Sequence, residues 1–187
     1  MLAGGRSTRF GTDKLAITYR NRPLLEHAVD ALRWTCGEVI VVLAASSPDP
    51  DLPSVRIAWD AIEGEGPLAG LLAGLEVSSS ERALAVGGDM PELVPAVLSS
   101  MLDRLQATDA GAVALLDGNR MRPLPAALRV ARAATTARER FASGERSIRA
   151  LLQALGADAI DEATWTALDP ERRTLFDVDE PWDLPPA

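Results

Sequence analysis

Cysteine is almost missing from this sequence. Cys36 is the only one in 187 residues, so no disulfide can close within the chain. That usage fits a reducing compartment and points to the cytoplasm. Histidine is as scarce, with His27 alone. No zinc-type spacing and no Ser-His-Asp arrangement stands out. Positive charge is in deficit, and the net charge of −8 argues against general binding to nucleic acid or an anionic membrane, which needs a basic face. No run approaches the ~18 apolar residues of a membrane span. The opening residues lack the apolar core of a signal peptide. Internal repeats and low-complexity tracts are also missing. Lysine is the rarest charged residue: Lys14 stands alone, and the other 18 of the 19 Lys and Arg side chains are arginine.

What is present suits a single globular domain over residues 1–187, with 47% hydrophobic and 25% charged residues. Glu38 to Ala44 (EVIVVLA) is a near-continuous apolar run, as expected of a strand buried on both faces. Val55 to Trp59, Ala83 to Val86 and Ala110 to Leu116 read the same way, and Thr174 to Val178 is a candidate last strand. Helical patterns lie between them: Pro23 to Trp34, with proline in the first turn, Leu68 to Val77, Pro95 to Leu105, Arg129 to Phe141 and Ser147 to Leu155. This alternation predicts an α/β protein, a mostly parallel sheet with helices on both faces. In such sheets ligands bind beyond the carboxyl ends of the strands. The residues to watch are therefore 3–14, Asp60, and Gly87-Gly88-Asp89-Met90-Pro91.

The stretch LAGGRSTRFGTDK (2–14) has the parts of a polyphosphate cradle. Glycines let backbone N–H groups approach an anion, and Arg9 and Lys14 can neutralise phosphate charge. It is neither the P-loop nor the dinucleotide fingerprint, and a solvated glycine-rich turn would read alike. A lone lysine in an arginine-using chain favours the cradle. In VGGDMPEL, Asp89 is placed either to hold Mg²⁺, which takes one or two protein carboxylates plus phosphates, or to cap a helix. Asp60 is followed by a loop and then by GPLAGLLAGLE, where small residues permit close approach; for Gly74 tight helix–sheet packing serves equally. In LFDVDEPWDL, Asp177 and Asp179 are two apart and face one way if extended, which calls for a cation or an arginine between them, unless the stretch is a solvated strand end. His27 reads as structural, and Cys36 as a small apolar residue rather than a nucleophile.

Taken in order, LAGGRSTRFGTDK, GPLAGLLAGLE, GGDMPEL, MRPLPAALR, GERSIRALL and LFDVDEPWDL resemble the nucleotidyltransferases of the molybdenum cofactor guanylyltransferase type. The resemblance covers essentially the whole chain. It implies a Rossmann-like three-layer αβα sandwich that binds GTP and Mg²⁺. It also implies transfer of GMP from GTP to molybdopterin carrying molybdenum, with pyrophosphate released. Leu2, Ala3, Gly4 and Gly5 would then contact the nucleotide, as would Asp60. Lys14 would bind phosphates, Arg9 matches the signature arginine, and Asp89 would hold Mg²⁺, with Asp179 a second candidate ligand. Arg9, Lys14 and Asp89 form the implied catalytic set. Assembly proteins or recipient enzymes of the cofactor would be transient partners. The sequence departs from the pattern in having only Met1-Leu2-Ala3 as its first strand, Val42 where some relatives place a polar contact, and aspartates at 177 and 179 where many carry asparagine. Aspartates there are similar to the related cytidylyltransferases, which keeps a cytidylyl- or other nucleotidyltransferase of the same fold as the alternative.

Overall fold

The computed structural model describes residues 1–4, 17–50, 52–60 and 64–184. A short hairpin, β1 (Thr18–Tyr19) and β2 (Arg22–Pro23), leads into α1 (Leu24–Arg33). Then follow β3 (Ile40–Ala44), β4 (Arg56–Asp60), α2 (Pro67–Val77), β5 (Arg82–Ala85), α3 (Pro95–Ala107), β6 (Ala112–Asp117), β7 (Arg120–Arg129), α4 (Val130–Ala142), α5 (Ile148–Ala154), β8 (Asp158–Ile160) and α6 (Glu162–Thr166).

β3 and β4 pair in parallel. β5, β7, β6 and β8 lie side by side in that order. The segment Met1–Ala3 stitches the two groups together. Ala3 N–H donates to Val42 O and Val42 N–H to Met1 O, each 2.9 Å. On the other edge Leu2 N–H donates to Val86 O (2.9 Å) and Gly88 N–H to Leu2 O (2.8 Å). Leu2 thus sits in parallel between Val42 and Gly87. β7 runs antiparallel to both β5 and β6, and β8 runs parallel to β6. Every described strand of the central sheet therefore points one way except β7.

Side chains alternate across the sheet with period two. Val41 and Leu43 of β3, Leu84 and Val86 beside them, and Val113 and Leu115 of β6 pack with Leu25, Val29 and Leu32 of α1, with Val97, Leu98 and Met101 of α3, and with Trp165 of α6. Ala85, Ala112, Ala114 and Ala126 face the other way. They meet Leu68, Leu71 and Leu75 of α2, Ala133 and Ala137 of α4, Leu151 and Leu152 of α5, and Leu155 just after it. These two cores make the three-layer αβα, Rossmann-like arrangement that the sequence predicts.

The differences from expectation are local. Thr174–Val178 is not a strand. Arg173–Leu175 forms a 3₁₀ turn and the chain then extends to Asp179. Pro23 ends β2 and caps α1 rather than opening it. β7 goes unread in the sequence because Pro123 and Pro125 interrupt it, and proline cannot donate to a ladder. The structure accommodates them in a bulge. β7 pairs with β5 only over 126–129, and its register with β6 shifts between Ala114 and Leu116, so both prolines fall outside the regular pairing.

Small residues let α2 lie close to the sheet. A β-carbon on Gly74 would stand 2.9 Å from Val42 Cγ2, and Val42 is buried under that helix. We predict that Gly74→Ala destabilises the protein by about 1 kcal/mol net. Overpacking costs ~1–3 kcal/mol, and the better helix propensity of alanine returns up to ~1 kcal/mol. Thermal unfolding should fall by about 2–4 °C. The double variant Gly74→Ala/Val42→Ala should lose the clash term, so the two effects measured singly will not add.

Candidate functional site

The carboxyl ends of the parallel strands bring together Gly4, Ala44, Asp60, Gly87-Gly88-Asp89 and Asp117. Close backbone approach builds this edge. A β-carbon on Gly4 would lie 2.8 Å from Ala44 N, and one on Gly88 would lie 2.9 Å from Leu25 Cδ1 and 3.2 Å from Ala3 Cβ. Neither position has room for a side chain unless its neighbours shift, so Gly4 and Gly88 let the backbone segments come together at this edge.

Asp60 is the last residue of β4, half-buried, and its carboxylate turns toward α2. Its Oδ2 and Leu2 Cδ2 are each 3.7 Å, and Val42 Cγ1 3.8 Å, from where a β-carbon on Gly70 would be. Asp60, Leu2 and Val42 therefore border a space that Gly70 leaves open. The GPL turn below it is held from outside. Arg146 Nε donates to Glu65 Oε2 (2.6 Å), Leu68 N–H donates to Arg146 O (3.3 Å), and the guanidinium stacks 4.0 Å over the Phe141 ring. Gly66 has φ +87°, a left-handed conformation that favours glycine. Arg146 belongs to GERSIRALL, a motif visible in the sequence but given no role there; only the fold shows it anchoring the turn beside Asp60.

Asp89 is not a helix cap. α3 begins at Pro95 with Val94 as its cap, well beyond Asp89. The Asp89 carboxylate instead folds back over Gly87, where a side chain would collide with its Oδ1. The Asp89 backbone carbonyl accepts Val178 N–H at 2.8 Å. That bond docks the extended segment 176–179 against the GGD loop. Val178 buries itself with Ile17, Tyr19 and Leu24, so Asp177 and Asp179 on either side of it turn away from that core together. The alternation expected of a strand survives without a strand. Burial pushes the Asp177 carboxyl above its ordinary range, and the charges of Asp179 and Asp89 push it further; Arg122 offsets this only in part. Three carboxylates from two distant parts of the sequence thus share one corner.

The hairpin that follows the glycine-rich loop is clamped to the same corner. Tyr19 Oη donates to Glu92 Oε1 (2.6 Å), and Arg20 pairs with the same carboxylate at 2.5 Å. Burial, then the Glu92 hydrogen bond, raise the Tyr19 hydroxyl to about 12. Arg20 and Asn21 have φ +46° and +64°, the two positive-φ positions of a tight hairpin turn. Gly5, Arg9 and Lys14, expected to cradle phosphates, lie outside the described residues. His27 is structural: its Nε2 lies 2.8 Å from Tyr19 O and its ring meets Tyr19 edge-on. Cys36 is half-buried, and desolvation raises its thiol, which disfavours a nucleophilic thiolate. It borders a cavity of about 620 Å³ lined by Val39, Ser78 and Arg82, at the amino ends of β3 and β5 and so opposite the carboxylate corner. No helix among the described residues is long and apolar enough to cross a membrane.

Comparison with known proteins agrees with this geometry. The family model for the MobA-like NTP transferase domain matches residues 1–160. A protein of Chloroflexus aggregans named probable molybdenum cofactor guanylyltransferase is 37% identical, over 98% of this chain and 89% of its own length. Among solved structures, the molybdopterin-guanine dinucleotide biosynthesis protein A of Archaeoglobus fulgidus superposes with a TM-score of 0.78 at 20% identity, covering 97% of this chain and 92% of that one. The 2-C-methyl-D-erythritol 4-phosphate cytidylyltransferase of Thermus thermophilus gives 0.73 at 18% identity, covering 97% and 92%. At these identities the two structures speak for the fold alone.

The raised Asp177 carboxyl has a consequence for stability. The folded protein holds that proton more tightly than the unfolded chain does. Stability is therefore lost as pH rises from the ordinary aspartate range, ~3.9, through the raised folded value. Asp177→Asn removes the repelled charge and should raise the unfolding temperature at pH 7. Near pH 3, where both states are protonated, the gain should vanish. A difference of equal size at both pH values would assign the effect to something other than charge.

Proposed function

Since the chain belongs to the MobA-like NTP transferase family, we propose that it transfers GMP from GTP to molybdopterin carrying molybdenum. The products are the guanine dinucleotide form of the cofactor and pyrophosphate. The observation that carries this reading is the 37% identity over 98% of the chain to a relative of that name. The site supports it: Asp60 and Asp89 stand at the carboxyl edge, on either side of the glycine-lined exit of the first loop.

The chemistry asks little covalent work of the protein. A phosphate oxygen of the acceptor attacks the α-phosphorus of GTP in line. The bond from that phosphorus to the bridging oxygen breaks, and pyrophosphate leaves with the electron pair. Catalysis is then positioning and charge neutralisation. Leu2, Ala3, Gly4 and Gly5 line the nucleotide, and Lys14 and Arg9 hold the β- and γ-phosphates. Asp60 accepts from the guanine edge, where a carboxylate can take N1–H and N2–H together. Cytosine cannot use that fork.

The residues present fit Mg²⁺. Asp89, Asp177 and Asp179 share one corner, where burial first, then the charges of Asp179 and Asp89, raise the Asp177 carboxyl. Among the described residues no group of three or more possible ligands is placed as a metal cage. A hard ion of this kind takes one or two protein carboxylates and completes its shell with phosphates and water. Asp89 would hold it, with Asp179 as the second carboxylate; when bound, it supplies neutralisation of the triphosphate.

Competition between GTP and CTP, with molybdopterin as acceptor, tests the assignment. We expect GTP to be preferred at least tenfold in kcat/KM, since losing a charged hydrogen-bonded pairing costs roughly ten- to a hundredfold. A preference for CTP would move the protein to the cytidylyltransferases. Asp89→Asn should abolish turnover with the fold intact, because an amide is a poor Mg²⁺ ligand. Lys14→Ala should weaken GTP binding by about 1.5–3 kcal/mol without moving the unfolding temperature. Unchanged GTP affinity would overturn the cradle reading of residues 2–14.

A further inference from the structure

Among the described strands of the central sheet β7 alone is reversed, so its first residues, not its last, stand at the edge where the other strands end. Asp117 pairs with Arg120 and Leu116 with Met121 across the β6–β7 ladder. The next residue, Arg122, enters the bulge and reaches the carboxylate corner. Its terminal nitrogens lie 3.5 Å from Asp117 Oδ2 and 3.7 Å from Asp177 Oδ2. Both distances exceed the 2.7–2.9 Å of a charged N–H···O bond. Its Nε is buried without a hydrogen-bond partner.

Both of its neighbours are poor counter-ions. Asp117 is already held by Arg172 at 2.6 Å, and Arg172 is in turn paired with Glu162. Asp177 stands 3.7 Å from the guanidinium, beyond a close charged bond. Arg122 is a half-buried cation with five rigidly placed donors, held near two carboxylates and bonded closely to neither. An arginine fork of that kind matches a tetrahedral phosphate oxygen pair better than it matches either aspartate here.

We propose that Arg122 binds the phosphate monoester of the acceptor, exchanging its long contact with Asp177 for short bonds to the phosphate. The inference rests on the nucleotidyl-transfer reading above and deepens it. The cradle at residues 2–14 serves the triphosphate, and Arg122 serves the second anion. The position suits the role. Arg122 lies 3.7 Å from Asp177, and the next residue, Val178, is bonded to the Asp89 backbone at 2.8 Å. A phosphate on Arg122 would therefore arrive beside the carboxylate proposed to hold the metal. Binding would also draw Arg122 away from Asp177.

The test uses the full chain, with Arg122→Gln and Arg122→Lys, and two measurements. Steady-state rates are taken with GTP and molybdopterin varied separately. Binding of molybdopterin without GTP is followed by its fluorescence. Arg122→Gln should raise the KM for molybdopterin and weaken its binding roughly ten- to a hundredfold, with the KM for GTP changed less than about twofold. Arg122→Lys, which keeps charge but not the fork, should recover part of the loss and guards against a folding defect in the glutamine variant. If the wild type turns over GTP and Arg122→Gln leaves the acceptor KM unchanged, or raises the GTP KM as much, the inference is overturned and the proposed function stands. If CTP replaces GTP while Arg122→Gln still weakens molybdopterin binding, the guanylyl assignment fails and the inference stands. A wild type that binds no molybdopterin sinks both.

Discussion

Four backbone hydrogen bonds hold Met1–Ala3 between β3 and the strand end at Val86–Gly88, and the rest of the molecule depends on them. They join the β3–β4 pair to the four strands beyond it. Each buried N–H and C=O in that seam would cost roughly 1–3 kcal/mol if left unpaired. The segment is short, and its neighbours come close enough that Gly4 and Gly88 have no space for a β-carbon without displacing backbone or core atoms. The same constraint that seals the sheet brings Gly4 to the edge where β4 ends at Asp60 and where Asp89 follows β5.

From that seam outward, the charged residues divide into those that hold the frame and those left for other work. Arg146 binds Glu65 and stacks on Phe141; Arg172 binds Asp117 and Glu162; Arg104 binds Asp158 at 2.6 Å. These are short, committed contacts on the rim, where a single exposed pair contributes only ~0–1 kcal/mol, and their effect is to fix loop geometry. The corner formed by Asp89, Asp177 and Asp179 is the opposite case. Its carboxylates repel one another, and Arg122 approaches without closing on them.

The docking of the C-terminal stretch makes this corner possible. Val94 N–H donates to Thr174 Oγ1 (3.2 Å), Thr174 N–H to the buried Asp169 (2.7 Å), and Val178 N–H to Asp89 O (2.8 Å). Residues some 85 positions apart in the chain thereby share one electrostatic environment. Loop and tail are positioned by backbone bonds, so the acidic side chains stay turned away from the Val178 core and toward the site.

The sequence by itself determined the alternation of strands and helices, the two-faced sheet, and the positions of Asp60 and Asp89, because apolar periodicity and strand-end carboxylates are local signals. It also showed the motif containing Arg146 and the paired aspartates at 177 and 179, though not what they touch. Tertiary structure alone decided four things. β7 is reversed, since its prolines mask the strand until a bulge accommodates them. Asp89 is free of any helix-capping duty, since α3 starts only at Pro95. Asp177 and Asp179 share a side without a strand, since Val178 is anchored between them. Arg122 stands at the reactive edge, since an antiparallel strand brings its beginning, not its end, to that place. Each of these rests on contacts between residues far apart in the chain, and no local pattern encodes the partner of such a contact.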